Sequence, residues 1–129
     1  MQMRPMLEAT DVAASVEFYT RVLGFSVGDS LPSPDGKMGW ASLNRDGLGL
    51  MISSRHTHDE PAADHDHPPR PVLTGCLYFN VDDVDEWVDS LGDRTPVIYG
   101  PSDTDYGMRE VGLSDPDGYT LILGCPLPE

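Results

Sequence analysis

Four histidines in two pairs, His56 with His58 and His65 with His67, stand among Asp59, Glu60, Asp64 and Asp66. Spacing of i, i+2 puts both rings of a pair on one side of an extended chain, and the nearby carboxylates would complete a zinc or nickel shell. The same stretch is rich in proline, so closing such a site costs ordering entropy, and polar loops also gather histidine without binding anything. The segment is read as a connecting loop without a resident metal, with metal binding as the alternative. Cys76 is the second reactive side chain. A nucleophilic cysteine needs a histidine or a cation beside it to hold the thiolate. Arg4, at the matching place in the repeat, is the one candidate cation, and Cys76 is read instead as a small buried thiol, counted among the expected ligand contacts. No Ser-His-Asp spacing, phosphate-binding glycine loop or nucleotide fingerprint occurs. No catalytic residue and no cofactor are assigned.

Binding chemistry is better represented. Along 75–81 alternate side chains share a face, so if Leu77, Phe79 and Val81 cover a helix, then Cys76, Tyr78 and Asn80 face the other way. Tyr78 offers a ring for stacking and a hydroxyl for hydrogen bonding. Trp40, in the middle of an extended run, either stacks on a ligand or joins the core. Tyr106, Met108 and Arg109 cluster near Glu110, where Arg109 either meets a ligand or closes a cross-strand ion pair. The expected ligand contacts are Trp40, Cys76, Tyr78, Tyr106, Met108 and Arg109. An apolar or aromatic lining with few polar groups is what a small-molecule site needs.

These residues sit on a pattern that occurs twice. Asp11-Val12 aligns with Asp83-Val84, and Leu7, Ala9 and Val16 then fall on Phe79, Val81 and Val88. Asp46-Gly47 and the apolar run after it align with Asp117-Gly118 and the run after that. In the first copy an extended segment ends at Ala9, Asp11 caps a helix carrying Val12, Val16, Tyr19 and Leu23, and Gly24 closes it. Phe25 to Val27 reads as a strand, Leu31 to Gly36 as a turn, and Met38 to Leu43 with Leu48 to Ser53 as a hairpin. The second copy repeats this with a strand over Gly75 to Val81 and a helix carrying Val84, Trp87, Val88 and Leu91. A strand over Val97 to Tyr99, a loop from Gly100 to Asp105, and a hairpin of Met108 to Leu113 with Tyr119 to Gly124 complete it. Each copy is β-α-β-β-β. Module one covers about 1–54, the connecting loop about 55–71 and module two about 72–129, in one α+β domain.

Composition narrows the function. The 129 residues carry 22 acidic and 8 basic side chains, a formal charge of -14. Nucleic acid and anionic membrane both demand clustered Lys and Arg, so neither is an expected partner. The acidity reads as solubility, with a preference for cationic ligands as the sharper alternative. Two cysteines make no disulfide framework, and no leader or membrane-spanning run is seen, so the expected compartment is the cytoplasm.

The tandem module resembles the vicinal-oxygen-chelate superfamily, which includes glyoxalase I, extradiol dioxygenases and bleomycin-resistance proteins. The matching residues are Asp11-Val12, Ser15, Phe18-Tyr19 and Leu23-Gly24-Phe25 in the first copy. In the second they are Tyr78 to Val84, Tyr106 to Glu110 and Asp115 to Tyr119. The resemblance implies two curled sheets facing each other around a cavity, and homodimerisation. It also implies metal ligands at positions that here hold Arg4, Met51, Cys76 and Ile122. Arginine and isoleucine donate nothing, methionine is a weak donor, and one thiolate does not hold a divalent ion. The expected function is metal-free binding of a cationic or aromatic small molecule between the modules, of the bleomycin-resistance type. The rival is a metal-dependent lyase, isomerase or dioxygenase with non-standard ligands, the histidine loop folding over the site. A third reading is a structural or regulatory protein with no ligand.

Overall fold

The computed structural model describes residues 1–54, 73 and 75–129. The chain divides into two compact units, Met1–Val72 and Leu73–Glu129. In the first, β1 (Met6–Ala9) and α1 (Val12–Arg21) precede β2 (Ser26–Pro32), β3 (Met38–Arg45) and β4 (Leu48–Ser54). In the second, β5 (Cys76–Asn80) and α2 (Val84–Leu91) precede β6 (Val97–Asp103), β7 (Met108–Ser114) and β8 (Thr120–Pro126). Each unit holds one four-stranded mixed sheet, ordered β1-β4-β3-β2 and β5-β8-β7-β6. The outer pairs β1–β4 and β5–β8 are parallel and the rest antiparallel. The expected order of elements is present in both halves. Among the described residues no helix is long and apolar enough to cross a membrane. His56, His58, His65 and His67 lie outside the described residues.

The two helices begin alike for the same reason. Asp11 accepts from the Ala14 amide at 3.0 Å, and Asp83 from the Glu86 amide at 3.1 Å, each satisfying a donor that has no partner within its helix. The apolar stripe of α1 is buried at Val12, Val16 and Tyr19, against Ala41, Leu43, Leu50 and Ile52 of its sheet. In the second unit Val84 and Leu91 are buried on the α2 side, with Val111, Leu113, Leu121 and Leu123 beneath them. Trp87, expected in this stripe as core, is only half-buried. Strand alternation then leaves one open face on each sheet, away from its helix.

Two strands run further than the turn residues suggest. β2 continues through Leu31 to Pro32, and β6 through Gly100-Pro101 to Asp103, where a loop was expected. Both lie on a sheet edge and absorb the breakers with register shifts, at Leu31/Pro32 and Tyr99/Ser102. Proline costs an edge strand little, because its missing N–H faces no partner.

Arg109 ties this sheet to its helix. Its Nε and Nη2 donate to both carboxylate oxygens of Asp85 at 2.8 and 2.9 Å, and its Nη1 donates to Asp103 at 2.8 Å. The guanidinium holds the Asp85 carboxyl below the usual carboxylate range. Both carboxylates are exposed, so the pairs are screened. Arg109→Ala should lower Tm by no more than a few degrees, with the loss shrinking in high salt, as thermal unfolding at two salt concentrations would show. A loss independent of salt would contradict this account.

Candidate functional site

The open face of the second sheet carries one carboxylate, that of Glu110, and it is 3% exposed. Val111 and Leu113 point toward α2, so Glu110, with Met108 and Gly112, points the opposite way. Cross-strand, Glu110 sits opposite Gly124 of β8. Tyr78 of β5 reaches across β8 and donates its hydroxyl to Glu110 Oε2 at 2.8 Å. Tyr99 of β6 approaches from the other side, donating to Oε1 at 3.4 Å. Tyr106 comes from the β6–β7 turn and donates to Oε2 at 2.7 Å. That turn is held by Thr104, whose amide donates to the Met108 carbonyl and whose Oγ1 accepts from the Met108 amide. Gly107 adopts φ +84° there, a region open to glycine, and this folds Tyr106 back over β7.

Glycine makes room for the other two rings. A Cβ on Gly124 would lie 1.9 Å from the Tyr78 hydroxyl oxygen, and one on Gly112 would lie 2.3 Å from the Tyr99 ring. Both rings therefore rest on bare backbone, with their far edges outward at 40% and 38% exposure. The result is a buried carboxylate under three phenols that converge from two strands and a turn.

Electrostatics follow from that geometry. Burial of the hydroxyl and the adjacent Glu110 carboxylate push Tyr78 and Tyr99 up from 10.0 to about 12. Tyr106 is raised too, chiefly by its hydrogen bond to Glu110. The protonated phenol is thus favoured by folding. Its contribution is complete below pH 10, the unfolded value, and is lost as pH rises towards about 12. Denaturant unfolding across this alkaline window should show a steeper loss of stability in the wild type than in a Tyr78→Phe, Tyr99→Phe double variant. Identical curves would mean that these phenols carry no such linkage.

The residues expected from sequence are divided by this arrangement. Tyr78, Tyr106 and Met108 lie at this face, and strand alternation places Cys76 with Tyr78, where at the start of β5 the thiol is exposed and not buried as expected. Arg109 faces α2 instead and is held by Asp85 and Asp103, because neighbours on a strand point to opposite sides. The cross-strand ion pair weighed for Arg109 does form there, with Asp103 as the partner. Trp40 belongs to the first unit, half-buried on the open face of its own sheet. Tyr99 and Glu110 complete the cluster without having been expected in it. Their signal was parity: Glu110 is two residues from Met108, and Tyr99 is the one aromatic residue of its strand.

The first unit contains a cleft of about 680 Å³ where the start of α1 meets the β2–β3 turn, between Asp11, Val12, Asp35, Lys37 and Met38. Its acids are already committed, Asp11 to the helix cap and Asp35 to the Lys37 amide at 2.9 Å. Among the described residues no three His, Cys, Asp or Glu side chains come together as ligands for a metal ion. The four positions that the resemblance assigns to metal hold Arg4, Met51, Cys76 and Ile122, a donor set that does not fit such an ion.

A family model described as the Glyoxalase/Bleomycin resistance protein/Dioxygenase superfamily matches residues 4–123. The chain belongs to that superfamily. An uncharacterized protein of Mycobacterium tuberculosis is 27% identical over 130 residues, spanning 97% of this chain and 74% of the relative. Among solved structures, TioX from Micromonospora sp. ML1 superposes with a TM-score of 0.76 at 22% identity, covering 98% of this chain and 99% of TioX. Lactoylglutathione lyase from Agrobacterium tumefaciens superposes with a TM-score of 0.71 at 24% identity, over 97% of this chain and 92% of the lyase. At these identities the likeness is one of fold. Superfamily membership carries many chemistries, so function has to be argued from the site.

Proposed function

We propose that this superfamily member is a cytoplasmic small-molecule-binding protein that works without a bound metal. Its ligand is taken on the open face of the second sheet, over Tyr78, Tyr99 and Tyr106. The observation that carries this reading is Glu110, a buried carboxylate whose partners are three phenols. Burying a carboxylate is costly even when it is hydrogen-bonded. A hydrophobic side chain would stabilise the sheet at least as well, so the arrangement makes sense as part of a site. Rings half exposed on glycine backbone add stacking surface next to polar atoms, the mixture that orients a small ligand. Two free cysteines suit a reducing compartment.

The absence of a fitting donor set among the described residues favours binding over chelate chemistry. Elemental analysis of protein purified without chelator should find no stoichiometric transition metal. In a thermal-shift screen of a fragment library run in chelator, some compounds should raise Tm. The same compounds should fail to stabilise Gly124→Val, in which Tyr78 has lost its seat. A stoichiometric metal, or stabilisation that persists unchanged in the variant, would overturn the reading.

A further inference from the structure

A phenol has one hydrogen to give. Tyr78, Tyr99 and Tyr106 each direct theirs at Glu110, at 2.8, 3.4 and 2.7 Å. What the cluster can offer a ligand is therefore lone pairs on phenol oxygens, with a carboxylate behind them. With Tyr78 and Tyr99 raised to about 12, those hydrogens stay in place throughout the neutral range.

Within the second unit, the charge of that carboxylate has no cationic partner on this face among the described residues. The second unit's described basic side chains are Arg94 and Arg109. Arg109 is turned toward α2 and held by two carboxylates. Arg94 donates to the Leu91 and Ser90 carbonyls at the end of α2. The face thus combines one buried negative charge, acceptor atoms only and aromatic surface.

We infer that this face takes a protonated nitrogen base: an amidinium, guanidinium or primary ammonium on an aromatic body. Its N–H groups are received by the phenol oxygens, its charge offsets that of Glu110, and its body lies against the tyrosine rings. A carboxylate, phosphate or sulfonate would meet acceptors alone and is rejected. A quaternary ammonium would keep the ring contact and lose the hydrogen bonds. The inference rests on the reading of this face as the ligand site and adds the chemistry of the ligand.

Three probes of one shape separate the two statements: benzamidine (cationic), benzamide (neutral) and benzoate (anionic). Each is titrated into the full-length, isotope-labelled chain while the amide resonances of Gly112, Gly124 and Glu110 are followed. Benzamidine should shift them and bind about tenfold more tightly than benzamide, and benzoate should leave them unmoved. Glu110→Gln should erase the preference for the cation. Tyr106→Phe, at an exposed position where folding is not at stake, should weaken benzamidine several-fold by removing one acceptor. If benzamide or benzoate shifts these resonances as strongly as benzamidine, the ligand class is wrong and the face survives as a site. If no probe moves them up to its solubility limit, both the class and the site are wrong.

Discussion

Gly124→Val is expected to dismantle the Tyr78 contact while leaving the second sheet folded. The new Cβ would stand 1.9 Å from the phenol oxygen and 2.6 Å from the ring carbon that bears it. Neither can share that space, and the ring is the part that is free to swing. Tyr78 loses its bond to Glu110 and its shelter together. Expected consequences are a loss of about 1–2 kcal/mol of stability, the value of one partly exposed charge-assisted hydrogen bond, and near-complete loss of ligand binding. One tyrosine should also fall from about 12 towards 10 in an ultraviolet pH titration, since both causes of its shift are removed. A variant whose tyrosines titrate as in the wild type would show that the ring does not rest on Gly124.

Tyr19→Ala should have the largest effect on stability and none on the chemistry of the site. Tyr19 is 0% exposed in the core of the first unit, its ring edge-on to Phe18 at 5.2 Å and to Phe25 at 6.1 Å between centroids. Truncation removes the aromatic contacts and leaves a cavity that α1 cannot close, at a cost of about 3–5 kcal/mol. Chemical denaturation measures this directly. A cost below about 1 kcal/mol would mean that the site collapses freely, against close packing around Tyr19.

Much of the fold was legible because two local signals agree in both halves. Aspartate caps placed the helix starts, and the Asp-Gly turns placed the hairpins, so Asp11 and Asp83, or Gly47 and Gly118, report one design twice. Edge strands were harder to read. Gly100-Pro101 is a strong breaker by local chemistry, and only pairing with β7 across a register shift makes β6 continuous. The site was half legible. Alternation from Leu77 and Phe79 set Tyr78 apart, and the same rule applied to β7, two strands over, would have separated Glu110 from Arg109. The ion pair expected of Arg109 did form across strands, with Asp103, while Glu110 faces the other way.

Topological equivalence explains why comparing the halves did not reveal Glu110. Trp40 pairs with Ser53 and Glu110 with Gly124, and these two pairs occupy the same place in their sheets. The repeat therefore preserved the backbone while the side chains diverged, with tryptophan in one unit and a carboxylate in the other. Methionines surround the first position, with Met38 two residues away on its strand and Met51 on the same face of β4. Tyrosines surround the second. A duplicated scaffold can specialise one copy in this way, because sheet hydrogen bonding is indifferent to what the open face carries.

The most direct measurement is a map of where small molecules touch the chain. Amide shifts of the full-length protein are recorded with each binder from a fragment library, in buffer treated to remove metal. The account predicts that perturbations gather at Tyr78, Tyr99, Tyr106, Glu110 and the two glycines beneath the rings. Binders that gather instead at the cleft beside Asp11 and Lys37, or that bind only after a transition metal is added, would contradict it.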